Sequence, residues 1–125
     1  MEKYKYSDLT EKVIGAAMKV HSYLGNGFQE VIYQRCLALE LARTGLEFMR
    51  EVEIPIYYYE RQVGTRRADF VVEGKVLLEL KAVIKVEDAH WAQILNYLRA
   101  YKMEVGLLIN FGGKSLEFKR FVLSK

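Results

Sequence analysis

The sequence predicts an α/β fold, with helices flanking a mixed central β-sheet. Three observations predict it. Two segments near the N-terminus and one after residue 86 carry apolar residues at helical spacing. Between and after them lie runs of β-branched and aromatic residues separated by glycine-bearing turns. Strands followed and preceded by helices bury their faces best as an α/β sandwich.

The first helix is expected to begin at Ser7 or Asp8, where Asp8 and Glu11 have capping-box spacing. Leu9, Val13, Ala16, Ala17, Val20 and Leu24 form its apolar face, and Gly25-Asn26-Gly27 ends it. A second helix runs from about Phe28 to Thr44, with Gly45 as its C-terminal cap. Val31, Ile32, Cys36, Leu37, Leu39 and Leu41 surround it, so it is expected to be largely buried. Strands are expected at Val52 to Tyr59, Val63 to Val72 and Val76 to Val83. Pro55 marks an edge or a bulge in the first of them. Glu87 to Lys102 is helical, with Trp91, Ile94, Leu95 and Leu98 inward. Two last strands, Val105 to Phe111 and Leu116 to Leu123, turn at Gly112-Gly113. The approximate order is written ααββββαββ.

Composition narrows the class. The chain is 51% hydrophobic and 28% charged, typical of a globular protein, and its 125 residues are expected to form one domain with a real core. No apolar run approaches the roughly 20 residues of a membrane span. The start, MEKYKYSDLTEK, has no apolar signal-peptide core. Cys36 is the sole cysteine, so no internal disulfide can form, which fits a cytoplasmic location. No Cys/His cluster has zinc spacing. A net charge of +3 permits nucleic-acid binding without requiring it.

The chemistry concentrates in one hairpin, Arg67 to Lys81, RADFVVEGKVLLELK. Asp69, Glu79 and Lys81 interrupt two apolar strands, where unpartnered charges are costly to bury. Glu79 and Lys81 share a face by strand alternation. Asp69 joins them only if the turn holds an odd number of residues. Gly74 permits a three-residue loop, but a two-residue turn would pair Asp69 with Leu78 and point it away. If the groups converge, two carboxylates and a strand carbonyl make a hard-oxygen site for Mg²⁺ or Mn²⁺. Such a site can activate water toward a phosphodiester, with Lys81 orienting or deprotonating the water or stabilising the developing charge. If they do not, the pattern is a solvated strand face with a weak Glu-Lys pair.

Other segments add candidates. Glu30 and Tyr33 share one face of the second helix, and Tyr33 is a candidate substrate contact. Glu30 is either a third carboxylate for the site or a helix-start acid favoured by the dipole. His90, Gln93 and Tyr97 share a face of the later helix. Gln93 suits a water or a phosphate oxygen, and Tyr97 suits a phosphate or a base. His90 reads as a helix-start residue before a metal ligand. Arg66 and Arg67 are candidate phosphate contacts, against the simpler reading of surface charge. Tyr57-Tyr58-Tyr59 reads as sheet packing or a homodimer surface before base stacking.

Asp69 followed by Glu79-Leu80-Lys81 resembles the core motif of the PD-(D/E)XK nuclease superfamily. Gln93 to Tyr97 resembles the Q-x-x-x-Y motif of its RecB-like branch. Gly27-Phe28-Gln29-Glu30-Val31-Ile32-Tyr33 is similar to the G-x-x-E-x-x-Y signature of the small bacterial GxxExxY proteins, as are RADF, ELKAV, AQILNYL and GLLINFG. The resemblance spans nearly the whole chain. Ala68 stands where that superfamily often has proline. The resemblance implies a restriction-endonuclease-like core, an Mg²⁺ (or Mn²⁺) cofactor and cleavage of nucleic acid, DNA before RNA. By position it implies Asp69 and Glu79 as metal ligands, with Glu30 as the helix-borne acid that binds the metal directly or through water. Lys81 would be the catalytic lysine, Gln93 a positioner of substrate or water, and Tyr97 its support. Two other readings stand beside it: a non-catalytic nucleic-acid-binding module that keeps the fold, and an interaction subunit that pairs through the tyrosine strand.

Overall fold

The computed structural model describes residues 5–123. The signal-peptide reading rests partly on residues 1–4, outside that range. The elements are α1 (Ser7–Leu24), α2 (Glu30–Thr44), β1 (Phe48–Tyr58), β2 (Arg61–Val72), β3 (Val76–Lys81), α3 (Asp88–Tyr101), β4 (Val105–Asn110) and β5 (Glu117–Val122). The α/β class predicted from the sequence is the one observed. Three strands precede α3, so the written order ααββββαββ is one strand too long there. The apolar runs before residue 86 fill three long strands and leave none for a fourth.

The strands form one mixed sheet in the order β1-β2-β3-β4-β5. Among the described residues only β3 and β4 pair in parallel, joined by the crossover through α3. Both are almost entirely buried, as expected of a central pair covered on two faces. The face bearing Phe70, Leu78, Leu80, Leu107 and Ile109 packs on α1 and α2. The other face, with Leu77 and Leu108, packs on Ile94 and Leu98 of α3. Gly106 lets α3 approach: a Cβ there would lie 3.1 Å from Ile94 and 3.2 Å from Leu98. Among the described residues no helix is long and apolar enough to cross a membrane.

Several local expectations change. The Asp8–Glu11 capping box does not form. Tyr6 is the N-cap of α1, left-handed and without a side-chain cap, because the helix begins one residue before Asp8. The capping box is in α3, where the Glu87 side chain accepts from the His90 N–H and His90 Nδ1 accepts from the Glu87 N–H at 3.0 Å. Helix α2 buries one face, Tyr33, Gln34, Leu37 and Leu41, and leaves Leu39 65% exposed. It lies on the sheet from one side only, so an apolar perimeter did not mean burial all round. Tyr57, Tyr58 and Tyr59 stand exposed at the β1–β2 hairpin instead of packing on the sheet. That hairpin extends beyond the area the helices cover. Pro55 does sit in an edge strand, one residue before the register shift at Ile56/Tyr57.

Candidate active site

The β2–β3 turn decides the geometry. Val72 pairs with Val76, leaving Glu73, Gly74 and Lys75 as a three-residue loop closed by Lys75 N–H to Val72 O at 3.0 Å. Glu73 and Gly74 are both left-handed, with φ of 55° and 65°. Glu73 tolerates this because its N–H donates to Glu47 O at 2.8 Å and its carboxylate accepts from Glu47 N–H at 2.6 Å. The odd loop sets Asp69 beside Glu79.

The β2–β3 ladder ends at Phe70↔Leu78. At the next position the strands part, and carboxylates take the donors that backbone carbonyls would have met. Leu80 N–H donates to Asp69 Oδ2 at 2.7 Å, and Asp69 N–H donates to Glu79 Oε1 at 3.3 Å. Opposite Asp69 on the other side, Glu51 adopts φ 50° and the β1–β2 pairing skips it. The Tyr101 hydroxyl fills that opening. It accepts from Ala68 N–H at 3.2 Å and donates to Val52 O.

Burial governs the electrostatics. Glu79 is 5% exposed, and its pKa is pushed from 4.5 to about 8 by burial and then by the charge of Asp69, against the pull of Lys81. Asp69 is also raised, chiefly by burial, and is held back by the Leu80 N–H, the Gln34 amide and Lys81. Glu30 begins α2 and is raised by burial, with Lys81 opposing and Asp69 reinforcing the shift. Lys81 thus lowers all three carboxyls, and Asp69 raises the other two. Yet among the described residues no three His, Cys, Asp or Glu side chains are grouped closely enough to hold one ion. Glu30, at the first turn of α2, is therefore not grouped with Asp69 and Glu79 as a direct ligand set, and only its contact through a water stays open. Asp69 and Glu79 alone remain as the hard-oxygen pair. Two adjacent buried carboxylates, both raised chiefly by burial and both opposed by one lysine, are a donor set suited to a divalent cation.

Lys81 follows Glu79 on the same strand face and is one of the residues lining a groove of about 1100 Å³ that α3 borders. Gln93 and Tyr97 line that groove, and the Gln93 amide donates to the Tyr97 hydroxyl at 3.0 Å. The Tyr97 pKa is raised by burial and by Glu79, so its phenol keeps a proton to donate. Arg66 and His90 also line the groove.

Two expected substrate contacts are elsewhere. Tyr33 is fully buried, stacked on Phe111 with centroids 4.6 Å apart. Its hydroxyl donates to Gly25 O at 2.6 Å and accepts from Phe28 N–H at 3.3 Å. It clamps the α1–α2 turn and offers nothing to a substrate. Arg67, next to Arg66 and so on the opposite strand face, is paired with Glu53 at 3.3 Å. His90 reaches the groove, but its Nδ1 is committed to the α3 cap.

Sequence reasoning missed Gln34. It is buried, its amide donates to Asp69 Oδ1 at 3.0 Å, and its carbonyl accepts from Arg50 at 3.0 Å. The signal was present: Gln34 falls four residues after Glu30, on one helix face. It also missed Asn110, fully buried at the end of β4. Asn110 exchanges two hydrogen bonds with the Val83 backbone and accepts from Gly112 N–H, so it fixes the chain leaving Lys81.

A family model for the PD-(D/E)XK nuclease superfamily matches residues 7–121. The solved crystal structure of SSO0001 is similar at 19% identity with a TM-score of 0.60. The alignment covers 97% of this chain and 61% of SSO0001, so this chain spans under two thirds of that protein, and the likeness is one of fold. No curated protein matches the chain. The mixed sheet, with two helices on one face and one on the other, is a restriction-endonuclease-like core, and the chain belongs to the PD-(D/E)XK nuclease superfamily.

Proposed function

We propose that the chain is a single-domain, divalent-metal-dependent nuclease that hydrolyses phosphodiester bonds, with DNA as its substrate. The observation that carries this reading is the Asp69–Glu79 pair where β2 and β3 part, with Lys81 on the Glu79 face. Asp69 and Glu79 would hold Mg²⁺ or Mn²⁺. When bound, that ion supplies Lewis acidity and lowers the pKa of water.

The chain's own groups supply the rest. Lys81 places a positive charge where the phosphoryl oxygens gain negative charge. Tyr97 accepts from Gln93 and keeps its proton to donate to a phosphate oxygen. The Gln93 carbonyl is left to orient a water. Arg66 meets a neighbouring phosphate. Hydrolysis forms one P–O bond to the water oxygen and breaks the ester P–O bond, and the leaving oxygen takes up a proton. Glu30 acts at a distance, through charge or a bridging water.

We also assign the chain to the GxxExxY branch. Tyr33 of its G-x-x-E-x-x-Y segment clamps the turn that leads into Glu30, which gives that spacing a physical reason. The lone free thiol, Cys36, fits a cytoplasmic site. The exposed Tyr58 and Tyr59 are the surface through which a homodimer would form, and sedimentation reads that directly.

The test is cleavage of labelled single- and double-stranded DNA with Mg²⁺ or Mn²⁺. Lys81→Ala and Asp69→Asn should each lose at least about 100-fold in rate with unchanged circular dichroism. Undiminished cleavage by both variants overturns the site. One observation favours a second reading: both Asp69 oxygens already accept hydrogen bonds, from Gln34 and from Leu80. A non-catalytic nucleic-acid-binding module would bind without cleaving under every metal condition.

A further inference from the structure

The groove that Lys81 helps to line lies between α3 and the β1–β2 hairpin, and neither Asp69 nor Glu79 is part of its lining. Among the described residues its cations are Arg66, Lys81 and Arg99, with His90 beside them, and no carboxylate lines it. Arg66 donates to the neighbouring Thr65 carbonyl at 2.8 Å and Arg99 to Asn96 Oδ1 at 3.3 Å. Neither has a carboxylate partner among the described residues. The contrast with Arg67 is direct: one residue along β2, on the opposite face, the guanidinium is matched by Glu53.

The groove also offers an aromatic face. Tyr57, 58% exposed, lines the groove from the hairpin, and Asn96 and Arg99 line it from α3. The walls around these groups are lined by small or apolar residues such as Gly64, Ala92 and Ala100. Unmatched cations beside an aromatic face in a concave channel form the arrangement that tracks a single strand: phosphates meet the cations and a base stacks on the ring. A duplex keeps its bases stacked inward and is read by an element entering its groove. Here the channel lies between elements. Its volume of about 1100 Å³ slightly exceeds that of a drug-sized ligand pocket.

We propose that this groove binds an unpaired nucleic-acid strand, with phosphates on Arg66 and Arg99 and a base against Tyr57, and leads it to Lys81. Only the last clause rests on the nuclease reading.

The test is fluorescence anisotropy in EDTA, where no cleavage occurs, with labelled dT12, rU12 and a DNA duplex of twelve base pairs. At least one single strand should bind about tenfold tighter than the duplex, and which one it is identifies the sugar. Arg66→Ala and Arg99→Ala should each weaken binding and reduce the salt slope by about 0.7. Tyr57→Ala should weaken it about fivefold or more. Arg43→Ala removes the same charge from α2, far from the groove, and should leave affinity unchanged. Duplex binding as tight as strand binding, or Arg66→Ala and Tyr57→Ala indistinguishable from wild type, overturns the proposal. A protein that binds strands as expected but never cleaves keeps the groove and removes the nuclease. A protein that cleaves duplex with all three groove variants at full rate keeps the nuclease and removes the groove.

Discussion

Replacing Glu79 by Gln should make the protein more stable at neutral and alkaline pH. The Glu79 pKa is about 8 in the folded state, against 4.5 for the free side chain. A carboxyl raised on folding binds its proton more tightly when folded. Its favourable contribution is therefore complete below pH 4.5 and is lost as pH rises through about 8. At about 1.36 kcal/mol per unit, the difference between 8 and 4.5 amounts to about 5 kcal/mol. Water entering the opened β2–β3 end would reduce that figure to about 3 kcal/mol. Glu79→Gln is nearly isosteric with the protonated acid and cannot ionise. Urea unfolding of both proteins in EDTA at pH 5, 6, 7, 8 and 9 reads the effect. The variant should match wild type near pH 5 and gain about 1 kcal/mol per pH unit up to pH 8. The double difference isolates Glu79 from other titrating groups. A stability difference that stays constant from pH 5 to 9 would refute the reasoning, since Glu79 would then titrate alike in both states. Millimolar Mn²⁺ at pH 8 should stabilise wild type by RT ln(1 + [L]/Kd), and Glu79→Gln much less.

Other perturbations separate structural roles from functional ones. Gly112→Ala would set a Cβ 2.2 Å from Val83 O and 2.4 Å from Val83 N, and backbone cannot yield as a side chain can. Thermal unfolding should show a loss of at least about 3 kcal/mol. Tyr33→Phe removes the partner of Gly25 O and Phe28 N and should cost about 1–2 kcal/mol in urea unfolding, while nucleic-acid affinity stays unchanged. Gln34→Leu should raise the Asp69 pKa further, read by NMR titration of its carboxyl carbon, because the Gln34 amide is one of the bonds that hold it down. It should also cost about 1–3 kcal/mol by stranding Asp69 Oδ1.

Much of this molecule is local and therefore legible in the chain. Helix α1 shows its inward stripe, Val13, Ala16, Ala17 and Val20, at a spacing that needs no partner to be recognised. The central strands announce themselves by unbroken apolar runs, and Gly25 and Gly45 end their helices at the left-handed φ values of 71° and 79° that glycine accepts most readily. Asp69, Glu79 and Lys81 were conspicuous because charge inside apolar strands demands an explanation.

What the chain alone left open were questions of parity, face and distance, which depend on neighbours remote in sequence. Whether Asp69 met Glu79 turned on one residue in the loop after Val72, and a count of three set them side by side. Tyr33 and Glu30 share a helix face in sequence, yet one is sealed against Phe111 while the other stands on the exposed first turn, because the β4–β5 end of the sheet packs only on the former. Arg66 and Arg67 are equivalent as letters. Strand alternation gave one to the groove, and Glu53 on the adjoining strand neutralised the other. Sequence by itself determined which segments became helix or strand and which charges needed a purpose, since backbone preference and apolar periodicity act over a few residues. Tertiary structure alone decided which of those charges stand together, since Coulomb energy and burial depend on distance in space and not on distance along the chain.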